Sequence, residues 1–130
     1  MVKISDLKIL RKACLEVAGP EWSCYPEYYD ANKSPLDGHC GAVSSMLRGI
    51  YGGDIVTGRV NGAVHYWNRL PGGIEIDLTS CQFGGDGYNP LLKGRKVKRG
   101  KLVNLRFLQF AELVRQKLGS QMKLEGLRLK

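Results

Sequence analysis

Several features that mark whole classes of protein are missing from this sequence. No apolar run approaches the roughly 18 residues that a membrane helix needs, and the polar start MVKISDLK has no signal-peptide core. The four cysteines, Cys14, Cys24, Cys40 and Cys81, include no CxxC pair. Without a secretory signal, that spacing argues against a disulfide framework. A zinc site drawn from Cys24, His39, Cys40, His65 or Cys81 lacks any pair at the roughly two- to four-residue ligand spacing of common structural sites. There is no internal repeat and no low-complexity linker. These absences lead us to expect one soluble, cytoplasmic domain over residues 1–130, with no cofactor, no metal and no membrane association.

The residues that are present suit such a domain. A chain of 130 residues, 43% hydrophobic and 25% charged, can bury about two thirds of the surface its unfolded form exposes. Its charge is uneven. Residues 1–92 hold 8 Lys and Arg against 10 Asp and Glu, whereas residues 93–130 hold 12 against 2. The densest basic stretch, KGRKVKRGK at 93–101, has the charge to meet nucleic acid or an acidic protein. No aromatic stacking residues are interleaved with these charges, so a solvated loop followed by the polar face of a helix is the simpler reading.

Periodicity predicts an α+β fold, with helices packed on one antiparallel sheet. Ser5 is placed to cap a first helix with Leu7, Leu10, Cys14 and Val17 on one stripe, ended by Gly19-Pro20. Residues 20–37 carry three prolines and four aromatics without a clean period, and read as an ordered loop with Cys24 as a small buried hydrophobe. Val43, Met46, Leu47 and Ile50 predict a second helix from 40 to 51, capped by Asp37 or Gly38 and closed by Gly52-Gly53. Three strands follow, near 54–60, 63–68 and 74–78. Asn61-Gly62 joins the first two as a hairpin, and Pro71-Gly72-Gly73 joins the next two. A last helix runs from an Asn104 cap to Leu118, with Phe107, Ala111, Val114 and Leu118 as its buried stripe.

Cys40 stands at the start of the second helix, where backbone amides are free and the dipole is positive. Thiolate is favoured at such a place, and the same amides suit an oxyanion. Gly41 leaves room for a substrate to approach. His65, on a predicted strand, is the better base, because His39 adjoins Cys40 in the chain and its ring should diverge from the sulfur. With a two-residue Asn-Gly turn, Gly58 pairs with His65 and leaves the imidazole room. With an odd-numbered loop around Pro71, His65 and Asp77 share a face, while Ile74, Ile76 and Leu78 point into an apolar layer. Asp77 would then orient His65. Asn68 should face away, Glu75 is a weaker alternative, and Trp22, Trp67 and Gln82 are candidate wall or donor groups.

The order of cysteine at a helix start, histidine on a strand and aspartate on the next strand resembles the transglutaminase-like branch of the papain-like cysteine peptidase superfamily. The segments GHCGAVSSMLRGIYGGDIVTGRV, HYWNRLPGGIEIDLTSCQF and NLRFLQFAELVRQKL are similar to the small bacterial YunG-type proteins, over about residues 37–118. That resemblance implies a papain-like or transglutaminase-like core with Cys40, His65 and Asp77 as a catalytic triad. One departure is His39, which stands where the family usually has glutamine: either a ring N–H replaces the amide as donor, or the site is altered. The expected function is a thiol-dependent hydrolase or acyltransferase acting on an amide, isopeptide or thioester bond. The rival expectation is a non-catalytic module that holds nucleic acid or an acidic protein through residues 93–130.

Overall fold

A computed structural model describes residues 4–24, 26–30, 34–92, 95–96 and 105–119. Helix α1 spans Ile4–Val17, α2 spans Cys40–Tyr51 and α3 spans Leu105–Leu118. Strands β1 (Asp54–Val60), β2 (Ala63–Arg69), β3 (Glu75–Ile76) and β4 (Arg95–Lys96) form one antiparallel sheet in the order β3-β2-β1-β4. The class is therefore α+β, as periodicity predicts. No described helix is long and apolar enough to cross a membrane.

The core lies among the three helices and one face of the sheet. In α2, Ala42, Val43, Met46, Leu47 and Ile50 make one apolar stripe, and Cys40, Gly41 and Ser44 beyond it are buried too, so the start of this helix is enclosed rather than laid on a surface. It packs on β2, while α3 packs on both α1 and α2. Leu7, Leu10, Ala13 and Cys14 of α1 complete the interior, with Ile76 of β3 and with Leu70 and Leu78 just beyond the strand ends. Val17 only borders it, because the helix ends there at Gly19-Pro20. On α3 the stripe is Phe110, Ala111, Val114 and Leu118, and Phe107 is half-buried at its margin.

The hairpin register follows from its turn. Asn61 and Gly62 both have positive φ, 52° and 81°, which is the twist a two-residue connection needs. Val60 therefore pairs with Ala63 and Gly58 with His65. The second connection spans residues 70–74, since Arg69 pairs with Glu75 and Asn68 with Ile76. It is closed by Leu70 N–H on Ile74 O at 2.8 Å and Gly73 N–H on Leu70 O at 2.9 Å. An odd loop keeps odd residues opposite odd ones, so His65 and Asp77 share a face.

Three expectations change. β3 is two residues long rather than five, and Ile74 is exposed because it belongs to the loop. The cap of α2 is His39, without a side-chain capping bond, rather than Asp37 or Gly38. Cys24 is exposed rather than buried, on the loop that follows the short 3₁₀ turn at Pro20–Trp22. The Asn104 cap and most of the basic stretch lie outside the described residues. Of KGRKVKRGK, only Arg95 and Lys96 are described, as β4.

Candidate functional site

The two faces of β2 have different neighbours. Asn68 Nδ2–H donates to Ser44 O on α2 at 2.9 Å, and Leu70, Ile76 and Leu78 join the helical core, so the helices take that face. His65, Trp67 and Asp77 occupy the other, with the 3₁₀ turn Ser80–Phe83 and the segment after it folded over them. That cover is tied down where Asp77 N–H donates to Tyr88 O at 2.8 Å. The space at Gly58 is used here as well. A Cβ there would lie 2.7 Å from Leu92 Cδ1 and 3.0 Å from Trp67 Cη2, so the glycine makes room for these two side chains rather than for the imidazole.

His65 is buried with every polar atom of its ring engaged. Its Nε2–H donates to Asp77 Oδ2 at 2.6 Å, both side chains being about 2% exposed. Nδ1 then accepts, over 3.4 Å, from the Gln82 side-chain NH₂. The ring stacks on Trp67 at 5.4 Å between centroids and meets Phe83 edge-on at 4.8 Å. Asp77 is itself held, because Oδ1 accepts from Thr79 N–H at 3.0 Å and from Thr79 Oγ1–H at 3.1 Å. Both carboxylate oxygens are thus satisfied, as a buried charge requires. Thr79 escaped the reading of the sequence, although Asp-x-Thr is a local signal for a side chain that bonds the backbone two residues on.

Cys40 approaches from the helix side. In a two-residue hairpin the bonded pairs alternate from Val60 and Ala63, so Tyr66, opposite Thr57, turns its N–H away from β1. β3 is too short to reach it, pairing only with Asn68 and Arg69. The Cys40 sulfur takes that N–H, together with the N–H of Gly41. It also lies within the electrostatic reach of Asp77. The sulfur therefore sits at the free edge of β2, beside the backbone of the residue after His65. Gln82 bridges the two sides of the edge: Gly38 N–H, two residues before Cys40, donates to Gln82 Oε1 at 3.2 Å, while the other end of the same amide meets His65 Nδ1.

Two expectations at Cys40 are corrected. Burial pushes its thiol up to about 12, against the pull of the Tyr66 and Gly41 amides and with a further push from Cys24 and Asp77. The resting sulfur is a thiol at neutral pH, because the loss of solvent outweighs the helix start. The room above Gly41 is also occupied: a Cβ there would lie 2.7 Å from Phe107 Cζ, so α3 covers the start of α2.

His39 is no part of this cluster. It is fully buried with Nδ1–H donating to Asp37 O at 2.8 Å and Nε2 accepting from Gly19 N–H at 3.2 Å, which fixes the neutral tautomer and leaves no ring N–H for an oxyanion. Burial lowers its pKa from 6.5, against the raising effects of the Asp37 carbonyl and of the Asp37 and Glu21 charges. The folded state thus binds this proton less readily than the unfolded chain. The stability contributed by neutral His39 is full above the unfolded value of 6.5 and is lost as pH falls from there through the lower folded value. Urea midpoints measured between pH 8 and 5 are expected to fall on the acid side of about 6.5, and the fall should shrink in His39→Gln. An unchanged slope in that variant would assign the acid limb to other groups.

Among the described residues, no cluster of three or more His, Cys, Asp and Glu side chains is arranged to hold a metal ion. Cys14 is buried in α1, and burial pushes its thiol up to about 12, so packing accounts for it.

A protein-family model described as "YunG protein" matches residues 8–122 of the chain. No curated protein and no solved structure matches it.

Proposed function

The chain belongs to the YunG family, and we propose that it is a thiol-dependent hydrolase or acyltransferase acting on an amide, isopeptide or thioester bond. One observation carries the reading: a buried His65–Asp77 pair, joined at 2.6 Å, shares its end of the sheet with the sulfur at the start of α2. A histidine and a carboxylate buried together leave one imidazole nitrogen as a fixed base. That nitrogen, Nδ1, is turned toward the amide that ties down the Gly38 turn. Cys40 would attack the carbonyl, His65 would take the thiol proton during attack, and Asp77 would hold the tautomer and stabilise the imidazolium formed. A resting thiol suits this order of events, because the proton moves only when an acyl group is in place. The acyl-enzyme is then resolved by water or by an amine. A papain-like or transglutaminase-like core belongs to the same proposal, supported by the order of helix-start cysteine, strand histidine and aspartate beyond it.

The test is acylation by an activated ester, located by peptide mass spectrometry. Cys24 is exposed, so an unselective thiol reagent labels it first and decides nothing. With 4-nitrophenyl acetate, Cys40 should acylate faster than Cys24, the adduct should be absent in Cys40→Ala, and the rate should fall about 10²-fold or more in His65→Ala. Added amine or water should then discharge it. Equal acylation of Cys24 and Cys40 would refute the proposal.

A further inference from the structure

We infer that the side-chain amide of Gln82 is the oxyanion donor of this site, a role that rests on the acyl chemistry proposed above. The turn Ser80–Phe83 places it, with Gln82 N–H donating to Thr79 O at 3.2 Å and Gly84 closing the turn at a φ of 84°. Gly38 N–H on Oε1 settles which way the amide faces, since the oxygen must meet the donor. The NH₂ group is thereby turned toward the imidazole, across from the turn that leads to Cys40. Its bond to Nδ1, at 3.4 Å, is long for an N–H donor, so the amide is oriented there without being strongly committed.

Two neighbouring groups are already engaged, which leaves Gln82 to act beside the backbone amides at the start of α2. Both nitrogens of His39 are occupied on the far side of the turn. The Gly41 amide points at the sulfur itself, beneath Phe107. Gln82 is placed to change partner as the reaction proceeds. At rest Nδ1 is an acceptor and takes the Gln82 proton. During attack the Sγ–carbonyl carbon bond forms, the carbonyl π pair moves onto oxygen, and the thiol proton passes to Nδ1. Nδ1 then becomes a donor and can no longer accept from Gln82. The amide is released at the moment the oxygen becomes negative, with its Oε1 still pinned to Gly38. On collapse the oxygen pair re-forms the carbonyl, the bond to the leaving group breaks, and that group departs with the proton from Nδ1.

Two reactions at the same sulfur separate this role from a structural one. Acylation by 4-nitrophenyl acetate passes through an oxyanion, whereas alkylation by chloroacetamide is a displacement without one. In Gln82→Met, which fills the space but cannot donate, Cys40 acylation should fall about 10²–10³-fold. Cys40 alkylation should stay within about threefold of wild type. Gln82→Ala should give the same split, and thermal unfolding of both variants identifies folded protein. If both reactions fall in parallel, or if acylation is unchanged, Gln82 is not the donor and the inference is overturned. Wild-type Cys40 that acylates no faster than Cys24 would overturn the acyl chemistry itself, a result visible before any Gln82 variant is made.

Discussion

Asp77→Asn is expected to slow acylation of Cys40 by about 10³–10⁴-fold while leaving the chain folded. The carboxylate now serves two sets of donors, His65 Nε2–H on one oxygen and Thr79 N–H and Oγ1–H on the other. An asparagine has one oxygen to offer. If it faces Thr79, its NH₂ confronts His65 Nε2–H, and the ring must move its proton to Nδ1, where it can no longer act as base. If it faces His65, the NH₂ confronts the Thr79 amide and the local turn loosens. Either arrangement leaves a buried donor without an acceptor, which costs about 1–3 kcal/mol of stability. Stopped-flow acylation and urea denaturation measure the two effects separately. A rate within about tenfold of wild type, with the stability cost present, would make Asp77 an anchor for the turn and nothing more.

Part of this geometry was legible in the sequence. Asn61-Gly62 dictates a two-residue turn because both positions tolerate positive φ, and from that turn alone the pairing of Gly58 with His65 follows. The parity of the Pro71 loop is a condition and not a reading: it is the five-residue connection seen in the structure that puts His65 and Asp77 on one face. Helix α2 begins at Cys40 and ends at Tyr51, within the span that apolar spacing predicts. These are short-range features, each settled by a few neighbouring residues.

What escaped depends on segments distant in sequence meeting in space. Cys24 was expected to be buried because its loop is aromatic, but the loop leaves it at the surface. The thiolate at Cys40 was inferred from the helix start alone. The opposing effect, loss of solvent, depends on how distant segments close over the start of α2, where Phe107 of α3 lies against Gly41. Gln82 stood out as a polar group near the proposed cleft, yet its bridge from Gly38 to His65 depends on how residues 79–92 fold back over the sheet, which no local pattern encodes.

Phe110→Ala is expected to remove about 3–5 kcal/mol of stability, among the larger effects a single substitution has in a core. Phe110 is fully buried and meets Trp22 edge-on at 6.0 Å and His39 edge-on at 5.8 Å, so its ring ties α3 both to the loop after α1 and to the residue preceding Cys40. Deleting it leaves a cavity beside His39, which is fixed by Asp37 O and Gly19 N–H and cannot collapse into it. Leu108, on the same helix but 63% exposed, is the control, and Leu108→Ala should cost no more than about 0.5 kcal/mol. Urea unfolding of the two variants checks the contrast. A Phe110→Ala loss below about 1 kcal/mol would mean that α3 is not seated against the start of α2 as described. The same seating places Phe107 over Gly41, so the folded fraction of Phe110→Ala should also expose Cys40 and raise its alkylation rate, even as the protein weakens. Stability and access to the sulfur would then move in opposite directions, as expected if burial beneath α3 is what holds the thiol in its resting state.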